Sequence, residues 1–199
     1  MIPDRNKAEE LLIEGEKQNP GIWVAHSRVV AQFAEKIANR CCGIDANKAY
    51  VLGLLHDIGK QFGSNQMRHI YIGYHYMLKL GYDEVAKICL THSFNCHDIH
   101  DYVGDFDITG EQLNELKNIL AKMVFDDYDL LIQLCDSIGG TVGLMSIEKR
   151  AADIKCRHGK YPENKLEKNF ELKKYFEKKM NDELYAVLSG SDSDGMMFC

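Results

Sequence analysis

Ala49-Tyr50-Val51-Leu52-Gly53-Leu54-Leu55-His56-Asp57-Ile58-Gly59-Lys60 is the stretch on which the reading of this chain turns. Seven uncharged, mostly apolar residues run into a histidine and an aspartate side by side. A helical segment that is apolar all round belongs in an interior. The imidazole and carboxylate at its end are therefore expected to be buried too. Buried groups of this kind need partners, and a divalent metal is a partner that satisfies both. Gly59 lets the backbone turn tightly just beyond the pair, and Lys60 offers a cation beside it.

Two residues elsewhere share this character. His26 lies in Trp23-Val24-Ala25-His26-Ser27-Arg28-Val29-Val30, and Val30, Phe33 and Ile37 follow it at helical spacing. His26 should therefore point inward, either as a hydrogen-bonded core histidine or as a ligand. Asp136 lies inside the apolar run Leu130–Ile138, where an ionised carboxylate demands a cation. A buried salt bridge or an exposed helix face would also account for it. Gly139, Gly140 and Gly143 follow, and each costs a helix about 1 kcal/mol relative to alanine. They leave room for something to approach Asp136. The dipeptide His-Asp recurs at 97–98 and 100–101, in a polar stretch where solvated loop residues are the simpler reading.

The rest of the chain reads as helices. Pro3-Asp4, Asn19-Pro20 and Pro162-Glu163 each mark an expected helix start, the second as an N-cap followed by proline. Helices are expected from there to about Lys17, over 22–38, and over 46–57 with Asp45 as cap. Segments 68–80 and 83–92 are expected on either side of Gly81. Residues 93–108, polar and rich in aspartate, are expected to form a surface loop. Thr109 with Gln112 opens a helix to about Lys122. A long helix is expected from about Asp126 to Ile154, and a charged amphipathic helix over 163–188. Its apolar stripe, Leu166, Phe170, Leu172, Tyr175, Phe176, Met180 and Leu184, packs either on the domain or on a second copy of the chain. No convincing strand alternation or repeat is present. The expectation is an all-α single domain over 1–188, with a flexible tail at 189–199.

The 199 residues are 45% apolar and 27% charged, enough for one well-buried core, and the formal net charge is −6. That acidic balance disfavours a nucleic-acid partner. No apolar run reaches the roughly 20 residues that span a bilayer, and the N-terminus lacks a signal-peptide core. The seven cysteines are scattered, with Cys41 and Cys42 adjacent and no CxxC pair. They are expected to be reduced thiols of a cytoplasmic protein.

The order His26 … His56-Asp57 … Asp136 resembles the HD superfamily of metal-dependent phosphohydrolases, over residues from about 20 to 140. His56-Asp57-Ile58-Gly59 matches the HDIG form letter for letter. His69-Ile70-Tyr71-Ile72-Gly73 and Thr91-His92-Ser93 are similar to motifs of a two-metal subset that cleaves dinucleoside tetraphosphates symmetrically. The loop after His92 is longer and more acidic than in that subset.

This resemblance implies a helical HD-domain bundle in which His26, His56, Asp57 and Asp136 bind a first metal. Asp57 would bridge to a second held by His69 and His92, with His75 a rival to His69. The ligand chemistry suits one or two ions of iron, manganese, nickel or zinc. The implied reaction is hydrolysis of a phosphate ester or anhydride of a nucleotide or related small phosphate, centred on Asp57. Lys60, Arg68 and Arg28 are the expected phosphate-binding cations, with Lys60 and Arg68 nearest the chemistry. Lys149-Arg150 and Arg157-His158-Gly159-Lys160 are either further cations over the site or solvated surface, and Trp23 is expected in the core. Two other functions fit the same residues: a di-iron oxygenase, and a non-enzymatic nucleotide sensor that keeps the metal for structure.

Overall fold

The structure, a computed structural model, describes residues 1–63 and 66–190. Among these are ten α-helices: α1 (Arg5–Gln18), α2 (Ile22–Ala38), α3 (Ala46–Leu55), α4 (Arg68–Lys79), α5 (Asp83–Thr91), α6 (Gly110–Leu120), α7 (Asp127–Ile138), α8 (Ile147–His158), α9 (Glu163–Met180) and α10 (Leu184–Ser189). Short 3₁₀ turns cover Ile58–Phe62 and Ile99–Asp101. No strand is present among the described residues, only an isolated bridge between Gly139 and Leu144. The chain is all-α, as expected.

The apolar run that opens the sequence argument is the centre of the molecule. Every residue of α3 from Ala49 to Leu55 is buried, and the helix packs against α1, α2, α5 and α7. Its contact with α2 is close because Gly53 has no side chain: a β-carbon there would stand 2.9 Å from Ala31 Cα. Sequence caps set the helix starts. Asp4, Asp45 and Ser146 accept backbone N–H groups of α1, α3 and α8, and Thr109 with Gln112 forms a full capping box on α6.

Several expected boundaries are corrected. Asn19 closes α1 instead of opening α2, which begins after Pro20 and Gly21. The side chain of Asn19 is used otherwise, donating to the Lys60 carbonyl at 2.7 Å. The expected helix 126–154 is two helices. Gly139 and Gly140 end α7, and the chain reverses through Gly143 at φ +133°, a conformation few other residues adopt. The expected helix 163–188 is likewise split, at Asn181 in the left-handed region. Its apolar stripe packs on the domain itself. Leu172, Phe176, Met180 and Leu184 join the main core, and only Tyr175 stays largely outside it.

Residues 93–108 are not a solvated loop. Phe94, Ile99 and Tyr102 are buried with Met67, Ile70, Leu90, Leu116 and Leu120 in a second, smaller core. The two extra His-Asp dipeptides serve this segment. His97 stacks on Phe125 at 3.6 Å, Asp98 caps the 3₁₀ turn, and buried Asp101 accepts from Cys96 N and Asn164 Nδ2. Five thiols, Cys41, Cys89, Cys96, Cys135 and Cys156, are free. No helix among the described residues is long and apolar enough to cross a membrane. The expected tail lies outside the described residues from position 191 onward.

Candidate metal centre

Three helix ends and two helix interiors deliver the polar side chains to one point. His56 and His92 are the C-cap residues of α3 and α5. Asp57 follows at the head of the 3₁₀ turn, and His69 sits in the first turn of α4. His26 and Asp136 face them from α2 and α7. The imidazoles form a continuous cluster: the ring centroids of His26 and His56, His56 and His92, and His69 and His92 lie 5.2, 5.1 and 5.5 Å apart.

Asp57 is at the centre. Its Oδ1 lies 3.1 Å from His69 Nε2 and 3.7 Å from His92 Nε2. Its Oδ2 lies 3.5 Å from His56 Nε2 and 2.5 Å from Lys60 Nζ. His26 Nε2 hydrogen-bonds Asp136 Oδ1 at 2.9 Å. Two sets of ligand atoms each fall within 4.8 Å of one another, His26/His56/Asp57 and Asp57/His69/His92, and Asp57 belongs to both.

Backbone carbonyls orient the rings. Nδ1 of His56 meets Gly53 O at 2.7 Å, that of His69 meets Gln66 O at 2.5 Å, and that of His92 meets Cys89 O at 3.0 Å. A carbonyl only accepts, so each Nδ1 carries the proton and each Nε2 of a neutral ring presents a lone pair. Main-chain oxygens therefore orient these three histidines.

Those lone pairs converge without donors. Nε2 of His69 and His92 are 3.4 Å apart, both turned to Asp57 Oδ1. His56 Nε2 is buried and has no hydrogen-bond partner. Burial depresses the His92 pKa to about 3, with the charge of His56 adding to the effect, and burial likewise depresses His56. Burial opposes the charge on Asp57, but the Lys60 ammonium beside it holds it well below the usual carboxylate range. Asp136 is likewise held low, by its hydrogen bond from His26, against burial. Neutral imidazole nitrogens and ionised carboxylates facing one another call for a cation, and this donor set fits a divalent transition metal.

The centre lies at the foot of a cleft of about 640 Å³, lined also by Lys60, Trp23, Gln133, Arg150, Arg157, Tyr161 and Lys165. Trp23 is mostly in the core and donates to Asn19 O. Of the expected phosphate-binding cations, only Lys60 lines this cleft. Arg28 pairs with Glu9 at 2.7 Å. Arg68 is exposed outside the cleft lining, and its backbone N–H is held by Asp107. His75 pairs with Glu115 and is absent from both ligand sets. Tyr161 and Lys165 went unnoticed in the sequence because neither stands near a motif.

A family model for the HD domain matches residues 23–139, more than half of the chain. The chain belongs to the HD domain family. The HD domain runs here from α2 to the end of α7 and contains all six residues of the cluster. The family is one of generally metal-dependent phosphohydrolases. No curated protein and no solved structure matches the chain.

Proposed function

We propose that this HD domain is a metal-dependent phosphohydrolase that cleaves a phosphate ester or anhydride of a nucleotide or related small phosphate, in the cytoplasm. One observation carries the reading: three imidazole lone pairs converge on one ionised carboxylate, Asp57, at the foot of an open cleft. His26, His56, Asp57 and Asp136 would hold one ion, and Asp57, His69 and His92 a second. Bound divalent ions supply a water of lowered pKa and a Lewis acid for a phosphoryl oxygen. Lys60, beside Asp57 and facing the cleft, would steady the substrate phosphate.

The cleft supports a nucleotide in two ways. Its volume lies inside the ~300–1,000 Å³ usual for small-molecule sites. It also offers apolar surface, Pro20, Ile22, Met145 and Ile154, and Ile22 is 77% exposed. A base would find contact there while its phosphates met the cations. The HDIG spelling and the His69/Gly73 and His92 motifs make dinucleoside polyphosphates the first substrates to try.

The test is metal analysis of protein purified without chelators, beside Asp57→Ala and His69→Ala, followed by a nucleotide screen. Two ions in the wild type, one in His69→Ala and almost none in Asp57→Ala are expected. One ion unaffected by His69→Ala would retire the second site and move the screen to nucleoside monophosphates. Metal-loaded protein inert on every phosphate would sink the reading. Oxygen consumption by the iron form with an organic substrate would replace it with an oxygenase.

A further inference from the structure

We propose that Arg150, Tyr161 and Lys165 form a second anion subsite in the cleft, so that the substrate carries a further phosphate beyond the one presented to the His/Asp centre. The proposal rests on the hydrolase reading and names the part of the substrate that the HD core does not hold. All three residues lie beyond position 139, where the family match ends. They belong to α8, α9 and the turn between, which this chain packs over the Asp136 side of the cleft.

Each residue retains an unused donor. Arg150 is 19% exposed, and its buried Nε has no hydrogen-bond partner. The carboxylate nearest its guanidinium, Asp153, is 3.6 Å away, beyond hydrogen-bond range. Asp153 also lines the cleft but is taken by Arg157 at 2.8 Å. Lys165 Nζ donates to the carbonyls of Ser93 at 2.6 Å and Asp101 at 3.1 Å. An ammonium has three protons, so one remains. No carboxylate among the described residues is within ion-pair distance of it. Tyr161 is fixed by a relay: Asn95 Nδ2 donates to Asn169 Oδ1, and Asn169 Nδ2 donates to Tyr161 Oη, both at 2.8 Å. The hydroxyl accepts on that side, so its own proton is free for the cleft that it lines.

The charge balance points the same way. Asp101 and Asp136 are the acidic groups whose fields reach both Tyr161 and Lys165. Asp101 accepts from Cys96 N and Asn164 Nδ2, which leaves Asp136 as the one facing the cleft. Asp136 is already engaged by His26 and would be engaged further by metal. Arg150 and Lys165 then leave positive charge facing the cleft of a chain that is acidic overall. A guanidinium, an ammonium and a hydroxyl, each with a proton to give, suit the oxygens of a phosphate.

The test is calorimetric titration of metal-loaded protein with inorganic pyrophosphate and with orthophosphate, for the wild type, Arg150→Gln and Tyr161→Phe. Metal content and melting temperature are measured alongside. The wild type should bind pyrophosphate at least about tenfold more tightly than orthophosphate, the scale of one hydrogen bond to a charged group. Arg150→Gln should remove most of that margin, and Tyr161→Phe about three- to tenfold of it. Orthophosphate affinity and metal content should stay as in the wild type. Equal wild-type affinity for the two anions overturns the subsite alone, as does a margin unchanged in both variants. Loss of metal in both variants overturns it too, because the cluster would then serve only to balance Asp136. A wild type that holds no metal and binds neither anion brings down the hydrolase reading itself.

Discussion

A β-carbon built on Gly59 would stand 2.0 Å from the carbonyl oxygen of His69. The 3₁₀ turn after Asp57 and the first turn of α4 touch backbone to backbone, and Gly73 continues the contact, its own added β-carbon falling 3.3 Å from Gly59 N. The glycine after His56-Asp57-Ile58 is thus required for a physical reason. It lets His69 come within reach of Asp57. Gly59→Ala must push α4 away, and we expect a loss of about 3 kcal/mol or more, at the top of the range for overpacked cores. It should also lose the ion assigned to His69 and His92. Gly73→Ala, whose β-carbon would press on the Gly59 backbone but needs a shift of only a few tenths of an ångström, should cost about 1 kcal/mol. Melting curves and metal content on the two variants check this.

Lys60 has different work with and without metal. In the metal-free protein its ammonium is the cation closest to Asp57. Lys60→Met then leaves a buried carboxylate short of its counter-charge, and we expect about 3 kcal/mol of destabilisation. With metal bound the ions replace that charge, and the same variant should melt near the wild type. Its defect should appear instead as a kcat/KM lowered by about tenfold or more, from loss of a charged hydrogen bond to phosphate. Equal destabilisation in the two forms would contradict this division.

Acid should weaken the metal-free fold before its carboxylates titrate. His92 is held neutral in the fold down to about pH 3 by burial, and His56 is shifted in the same direction. In the unfolded chain a histidine takes its proton near pH 6.5. Below that pH the unfolded state binds more protons than the folded one, so stability falls as pH falls. From pH 7 to 5, His92 alone should remove about 2 kcal/mol. The depressed carboxylates of Asp57 and Asp136 add their own loss only below their unfolded values near pH 4. Urea midpoints of chelator-treated protein should show this slope, and His92→Asn should flatten it.

The C-terminal helices belong to the domain's core. Phe176 of α9 is fully buried within the main cluster. Phe176→Ala should cost about 3–5 kcal/mol, the usual range for such a cavity. A loss well under 1 kcal/mol in thermal or urea unfolding would show that α9 is only an appendage.

The legible parts of this chain are those written in local chemistry. An apolar run with no polar face, a cap residue or a histidine in phase with a helix's apolar stripe constrains its neighbours within a turn or two. That is why α3, α4, α5 and the cap of α6 follow from sequence, and why His26, His56, Asp57, His69, His92 and Asp136 stood out. Helix phase also explains two misplaced cations. Arg28 is two residues from His26, and Arg68 is next to His69, so each points to another side of its helix. The illegible parts depend on distant partners. The 93–108 segment looks polar, yet Phe94 and Tyr102 find their core on α4, α5 and α6. Lys165 and Tyr161 acquire meaning only when α9 is laid against the loop after His92. The break at Asn181 has no glycine or proline to announce it.

The Nδ1 protons of His56 and His92 rest on carbonyls that a helix leaves unpaired at its last turn. Terminating α3 and α5 and choosing the tautomer are therefore one event. Folding delivers both nitrogens already turned inward, and no proton has to migrate around either ring when an ion arrives. Side-chain drift elsewhere in the protein cannot retune those two nitrogens, because the atoms that set them are main chain and survive any substitution that leaves the helix ends in place.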